Sequence, residues 1–134
     1  MIPLTRRDWV SYIADRMLPF IVPGERVLDF GAGDGKMAEY VVRTCNARAE
    51  LLDVKNHNQT ALAHHLYDGQ HIPFPAGSFD SAFAVAVLHH IAKDVQVRLL
   101  GQLKAICRRG VLSLWKIRLQ IPWNGSLIVS AIRS

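Results

Sequence analysis

The run Val27-Leu28-Asp29-Phe30-Gly31-Ala32-Gly33-Asp34-Gly35 decides how this chain folds. A short apolar strand ends, three glycines alternate, and a helix begins at Lys36. Glycine lets the backbone turn sharply and lets a ligand approach where a Cβ would stand in the way. The amides at the start of the new helix can then receive an anionic or polar group. A dinucleotide fingerprint would read G-x-G-x-x-G, but here Gly35 follows Gly33 and Lys36 holds the sixth place, where it would crowd a pyrophosphate. A nucleotide-phosphate loop of the form G-x-x-x-x-G-K-[ST] is missed by one residue, and Met37 cannot ligate magnesium.

Working outward, Thr5 with Asp8 three positions on marks a helix start, and Trp9, Ile13 and Met17 place one apolar stripe on that helix up to Pro19. Arg26–Phe30 is the first strand, and residues 36–44 form a helix with Met37, Tyr40 and Val41 inward. Arg48–Asp53 is the second strand, residues 65–67 a short third, and the stretch from 55 to 64 between them a loop. Residues 79–88 are nearly continuous apolar sequence, as expected of a strand buried on both faces. A helix over 94–107 follows, apolar at Val97, Leu100, Leu103, Ala105 and Ile106. Gly110 stops it, and residues 111–119 form the fifth strand. Strands alternating with helices give βαβ units, right-handed crossovers and a parallel sheet, so the class is α/β.

At 134 residues the chain has the size of one domain, and half of it is apolar. Two cysteines, Cys45 and Cys107, cannot form a disulfide framework, which fits a reduced, cytoplasmic compartment. No apolar stretch reaches the roughly 20 residues of a membrane span. His57, His64, His65 and His71 show no ligand spacing, so no metal site is expected. Residues 1–94 carry nine Lys/Arg against eleven Asp/Glu, whereas residues 95–134 carry seven Lys/Arg and no acid. A basic end can face nucleic acid. A solvated basic face is the preferred reading, because no aromatic residues interleave the charges.

Three carboxylates sharpen the ligand. Asp29 points toward whatever fills the glycine turn, repelling a phosphate and attracting an ammonium. Asp53 lies 20 residues beyond Gly33 at the end of the second strand, where an acid chelates ribose hydroxyls in doubly wound folds. Asp68, after the third strand, is placed to take an adenine amino group. Each acid alone could equally satisfy a turn. Together they fit a ligand with an ammonium, a ribose and an adenine but no phosphate, which is S-adenosylmethionine (SAM).

These residues, with Asp68-Gly69, Ile72-Pro73-Phe74-Pro75, Gly77-Ser78-Phe79-Asp80 and Val87-Leu88-His89-His90, resemble the class I SAM-dependent methyltransferases, most closely their type 11, small-molecule branch. The resemblance spans about residues 26–112. It implies a Rossmann-like, doubly wound, mostly parallel sheet of order 3-2-1-4-5, with the cofactor across the C-terminal strand ends. It further implies that Asp29, Gly31, Ala32 and Gly33 hold the methionine part, Asp53 the ribose, and Asp68-Gly69 the adenine. Backbone near Val85 would line the methyl end. His89 or His90 would accept a proton as general base, although adjacent residues diverge and only one can face the site.

The expected organisation is one domain: residues 1–24 an N-terminal helix and turn, 25–112 the cofactor core, and 113–134 an atypical end. That end is short for the family, and Trp115-Lys116 stands where relatives often carry an acid. Pro122-Trp123-Asn124-Gly125 is a turn signal, so residues 126–132 are expected to pair antiparallel with strand five. An exposed apolar sheet edge at Trp115, Ile117 and Leu119, or at Leu127 and Val129, would favour a homodimer or a partner subunit. The expected function is methyl transfer to a small organic acceptor. The alternatives are a SAM-binding module or truncated methyltransferase without its own activity, and a nucleic-acid methyltransferase using the basic end.

Overall fold

The computed structural model describes residues 6–85, 87, 90–114 and 129–132. In chain order they form α1 (Arg6–Met17), a 3-10 turn (Leu18–Phe20), β1 (Arg26–Phe30), α2 (Lys36–Cys45), β2 (Arg48–Asp53) and β3 (His64–Leu66). β4 (Phe79–Val85), α3 (Lys93–Ile106), β5 (Cys107–Leu114) and β6 (Val129–Ile132) complete the order. The sheet runs β3-β2-β1-β4-β5-β6. β1 pairs in parallel with β2 and β4, β2 with β3, and β4 with β5, while β6 runs antiparallel to β5. The expected 3-2-1-4-5 parallel order is therefore the observed one. The antiparallel C-terminal strand is present over Val129–Ile132; the turn expected at residues 122–125 and His89 lie outside the described residues.

Alternation along the strands sorts side chains to two faces. Val27, Leu51 and Phe83 join Ile13 and Met17 of α1 and Met37 and Val41 of α2 in one core. Leu28, Phe30, Leu52, Ala82 and Ala84 join Leu99, Leu103 and Ile106 of α3 in the other. Each large side chain fully buried in these layers stabilises the fold by about 1.5–3 kcal/mol before entropy is counted. Register places Phe30 opposite both Leu52 and Ala84, so the C-terminal ends of three central strands stop at one level. That level is where the glycine turn emerges.

Four sequence expectations are corrected here. α3 buries Leu99, Leu103 and Ile106, at i, i+4 and i+7, whereas Val97 is 72% exposed. The apolar count along α3 admits both stripes, and docking on Phe79 and Ala82 selects the one containing Leu99. Gly110 does not stop the helix: α3 ends at Ile106, β5 starts at Cys107, and Gly110 sits inside β5 with φ +143°. There the β4–β5 register slips between Phe79↔Cys107 and Ser81↔Gly110, an irregularity that glycine's conformational freedom allows. The third strand is His64–Leu66 rather than 65–67. The fourth strand ends at Val85.

Candidate functional site

The glycine turn is stitched to the end of β2 through backbone bonds. The Gly31 and Ala32 amides both donate to the Leu52 carbonyl, at 2.8 and 3.2 Å, and the Gly35 amide closes back on the Ala32 carbonyl at 3.0 Å. Gly31, Gly33 and Gly35 have φ of +72°, +56° and +82°, a region that disfavours any side chain. Gly31 also has no room for one, since a Cβ there would fall 2.4 Å from Val87 Cγ2. A Cβ at Gly33 would meet nothing within 4 Å, so open space lies over that residue.

Asp53 holds this turn in place. Its Oδ2 accepts the Gly33 amide at 2.9 Å and its Oδ1 the Val54 amide at 2.7 Å. Asp34 caps the start of α2 by accepting the Lys36 amide at 3.0 Å. Asp29, one residue before the strand end and on the face of Val27, is only 3% exposed, and its Oδ2 is buried without a hydrogen-bond partner. Burial pushes its carboxyl well above the usual carboxylate range, and the charges of Asp53 and Asp34 push it further. Three carboxylates thus converge on one turn, and the most buried of them has no counter-charge among the described residues. A cation delivered here would be attracted by all three.

The adenine-side expectation meets a busier local structure. Asp68 Oδ1 accepts the Gln70 and His71 amides at 2.8 and 2.7 Å, and its Oδ2 lies 2.9 Å from His71 Nδ1. The His71 ring and these amides hold the Asp68 carboxyl down at about 2. Gly69, at φ +83°, brings its Cα against the end of β2: a Cβ there would lie 3.7 Å from Val54 Cγ1. The structure therefore brings Asp29, Gly31, Ala32, Gly33, Asp53 and Gly69 to one end of the sheet. Val85 ends β4 and packs, half-buried, on the core under α1 and α2. His90 is exposed in the connection after β4, its amide donating to the Val87 carbonyl at 3.2 Å.

Sequence reasoning passed over three residues here. Val54, half exposed, directly follows the ribose-side acid, and that adjacency was the signal available. Tyr67 packs against Phe30 with ring centroids 5.7 Å apart and the planes tilted by 52°, and burial with the charges of Asp53 and Asp68 pushes its phenol up to about 12. Val87 seals the turn against Gly31; the sequence offered it only within Val87-Leu88-His89-His90, with no role of its own. A larger cleft of about 640 Å³ lies between α1 and α2, lined by Asp8, Ser11, Lys36, Glu39, Tyr40 and Arg43.

A sequence profile described as a methyltransferase domain matches residues 5–120. The chain belongs to the methyltransferase-domain family. The observed sheet order is the Rossmann-like, class I order of SAM-dependent methyltransferases, and SAM is the cofactor that the family implies. The domain is 26% identical over 111 residues to the tRNA (carboxymethyluridine(34)-5-O)-methyltransferase alkbh8 of Xenopus tropicalis, covering 77% of this chain and 17% of that protein. Its fold matches a solved Haloferax volcanii complex between the Trm112 methyltransferase activator and a candidate methyltransferase at TM-score 0.66, with 20% identity over 80% of this chain and 52% of that one. It also matches Haemonchus contortus phosphoethanolamine N-methyltransferase 2, solved with phosphomonomethylethanolamine and S-adenosylhomocysteine, at TM-score 0.65 with 18% identity, covering 78% and 30% of the two chains. The methyltransferase domain thus spans about a sixth of the curated relative and between about a third and a half of these structural neighbours. Among its described residues no helix is long and apolar enough to cross a membrane.

Proposed function

We propose that this methyltransferase domain binds SAM over the glycine turn and transfers its methyl group to a small organic acceptor. The single observation that carries the reading is Asp29 Oδ2, buried without a hydrogen-bond partner among the described residues, where a ligand's ammonium would satisfy it. The residues present fit the cofactor: Asp29 answers the ammonium, and the open space over Gly33 admits the methionine backbone beside Gly31 and Ala32. Asp53 would hold the ribose hydroxyls while keeping the Gly33 amide, since each carboxylate oxygen accepts more than one bond. Asp68 and Gly69 would border the adenine, and Val85 the methyl end.

When bound, the cofactor's sulfonium supplies a methyl group that is already electrophilic, so the protein's work is alignment and exclusion of water. Asp29, Asp34 and Asp53 favour a cationic ligand electrostatically. His89 or His90 would take the acceptor's proton where the acceptor has one to lose. The whole chain would act as one domain, in the cytoplasm, consistent with the free thiols of Cys45 and Cys107.

A second reading is that the domain holds the cofactor while a partner subunit or further residues hold the acceptor. The chain's coverage of about half of the Haloferax neighbour, itself solved with an activator, favours it. Incubation with methyl-tritiated SAM and panels of small carboxylic acids, phenols and amines separates the readings. Label in a small-molecule product supports the first. Cofactor binding without transfer to any acceptor supports the second, and label appearing only in added tRNA would overturn both.

A further inference from the structure

At the opposite end of the sheet from the glycine turn, the strands begin with arginines. A cleft of about 320 Å³ is lined by Arg26 at the start of β1, Arg48 at the start of β2 and Arg108 in β5, with Ser78 and Asp80 between them. Arg26 is fixed in place: its Nε donates to Glu50 Oε2 at 2.7 Å, its Nη1 to the Ser78 carbonyl at 2.9 Å, and its guanidinium lies 4.7 Å from the centre of the Phe79 ring. Arg108 folds over the preceding loop, with Nε 3.3 Å from the Gly77 carbonyl, and its other donors have no partner among the described residues. The Arg48 guanidinium has no partner among the described residues. Asp80 uses Oδ2 to accept the Arg26 amide at 2.9 Å. Three guanidiniums therefore face two carboxylates, Glu50 and Asp80, and the balance is positive.

We propose that this cleft is an anion site for a phosphate group, separate from the cofactor site and independent of whether methyl transfer occurs. Guanidinium forks match phosphate oxygens in pairs and are less strongly hydrated than ammonium groups. Arg26, already clamped, contributes a charge that needs no further ordering, while Arg48 and Arg108 supply uncommitted donors on either side of Ser78. The opening admits one phosphate with its attached sugar. Part of the basic excess beyond residue 94 thereby acquires a place in the fold, since Arg108 belongs to that segment.

The source is either a free phosphate or a nucleic-acid strand, and two probes distinguish them: inorganic pyrophosphate and a fluorescein-labelled 20-nucleotide oligouridylate. The wild type should bind at least one of them. For the strand, the log–log salt slope should be about −0.7, the value for one phosphate neutralised in the cleft. Arg48→Glu with Arg108→Glu should weaken binding at least tenfold, leaving S-adenosylhomocysteine binding and the melting temperature unchanged. Arg48→Gln alone, a milder surface change, should weaken it severalfold. Unchanged affinity in the double variant, equal binding of a polyglutamate peptide, or no binding of either probe by the folded wild type would overturn the proposal.

Discussion

Asp53 Oδ2 accepts the Gly33 amide at 2.9 Å, so the carboxylate that would hold a ribose also sets the shape of the turn that would hold the methionine part. The two ends of the proposed cofactor site are mechanically one. Asp53→Ala should cost about 1–3 kcal/mol of stability by orphaning the amide, and should lower S-adenosylhomocysteine affinity more than tenfold. Asp53→Asn keeps an oxygen for Gly33, so denaturant titration should find most of the stability retained while affinity still falls.

Asp29 opposes stability where the proposed site needs its charge. Its carboxyl is raised above the ordinary 3.8 by burial first, then by Asp53 and Asp34. For a raised acid, folding stability falls as pH climbs from that ordinary value through the raised one, and the loss persists above it. Asp29→Asn should therefore melt several degrees higher than the wild type at neutral pH, with the difference vanishing below about pH 4. Scanning calorimetry across pH 3.5–8 checks the sign. The same variant should lose cofactor affinity, a trade expected where a site stores an unpaired charge.

Gly31 and Gly33 separate space from backbone strain. Gly31→Ala would place a methyl group 2.4 Å from Val87 Cγ2 at φ +72°, so both stability and affinity should fall. Gly33→Ala meets nothing within 4 Å in the protein. It should cost only the strain of its φ, about 1 kcal/mol, while its methyl group obstructs the open space and weakens binding disproportionately. Paired melting and calorimetric titrations read the difference.

Glu25, 7% exposed at the start of β1, pairs with Arg109 of β5 and accepts the Ser81 hydroxyl at 3.1 Å. This ion pair reaches from β1 to β5 across β4, beside the register slip. Arg109→Ala leaves the carboxylate buried and uncompensated, and should destabilise by about 3 kcal/mol. Exposed Lys104→Ala, as a control, should stay within about 0.5 kcal/mol.

Asp68 supplies an acid-side signature. Held down at about 2 by the His71 ring and then by the Gln70 and His71 amides, it contributes stability that is fully present above its ordinary 3.8. That contribution is lost as pH falls toward 2. Asp68→Asn should flatten this part of the acid unfolding curve measured by circular dichroism.

The order of the central strands was legible because each one ends in a residue with a visible job. Phe30 precedes the glycine turn, Asp53 ends β2, and the apolar run from Phe79 has no polar face to offer solvent. The loop between β2 and β3 was legible for the opposite reason, a lack of period. Local pattern failed where tertiary contacts choose between equivalents. Val97 and Leu99 are both apolar on one helix, and only docking on β4 decides which is buried. Gly110 reads as a stop signal until the register slip beside Ser81 shows what it accommodates. At the site, the acids and glycines declared themselves by spacing. Val87 and Tyr67 did not, because their part depends on where two loops meet in space.

The central claim is that Asp29, with its buried and unpartnered Oδ2, marks a SAM site, and calorimetric titration with SAM and S-adenosylhomocysteine tests it most directly. Wild type, Asp29→Asn and Asp53→Ala would be compared at pH 7.5, each confirmed folded by circular dichroism. The account predicts micromolar binding by the wild type, a loss of at least tenfold in both variants, and wild-type affinity that strengthens as pH rises while Asp29→Asn stays flat. A folded wild type that binds neither compound, or an Asp29→Asn variant that binds as tightly as the wild type, would contradict it.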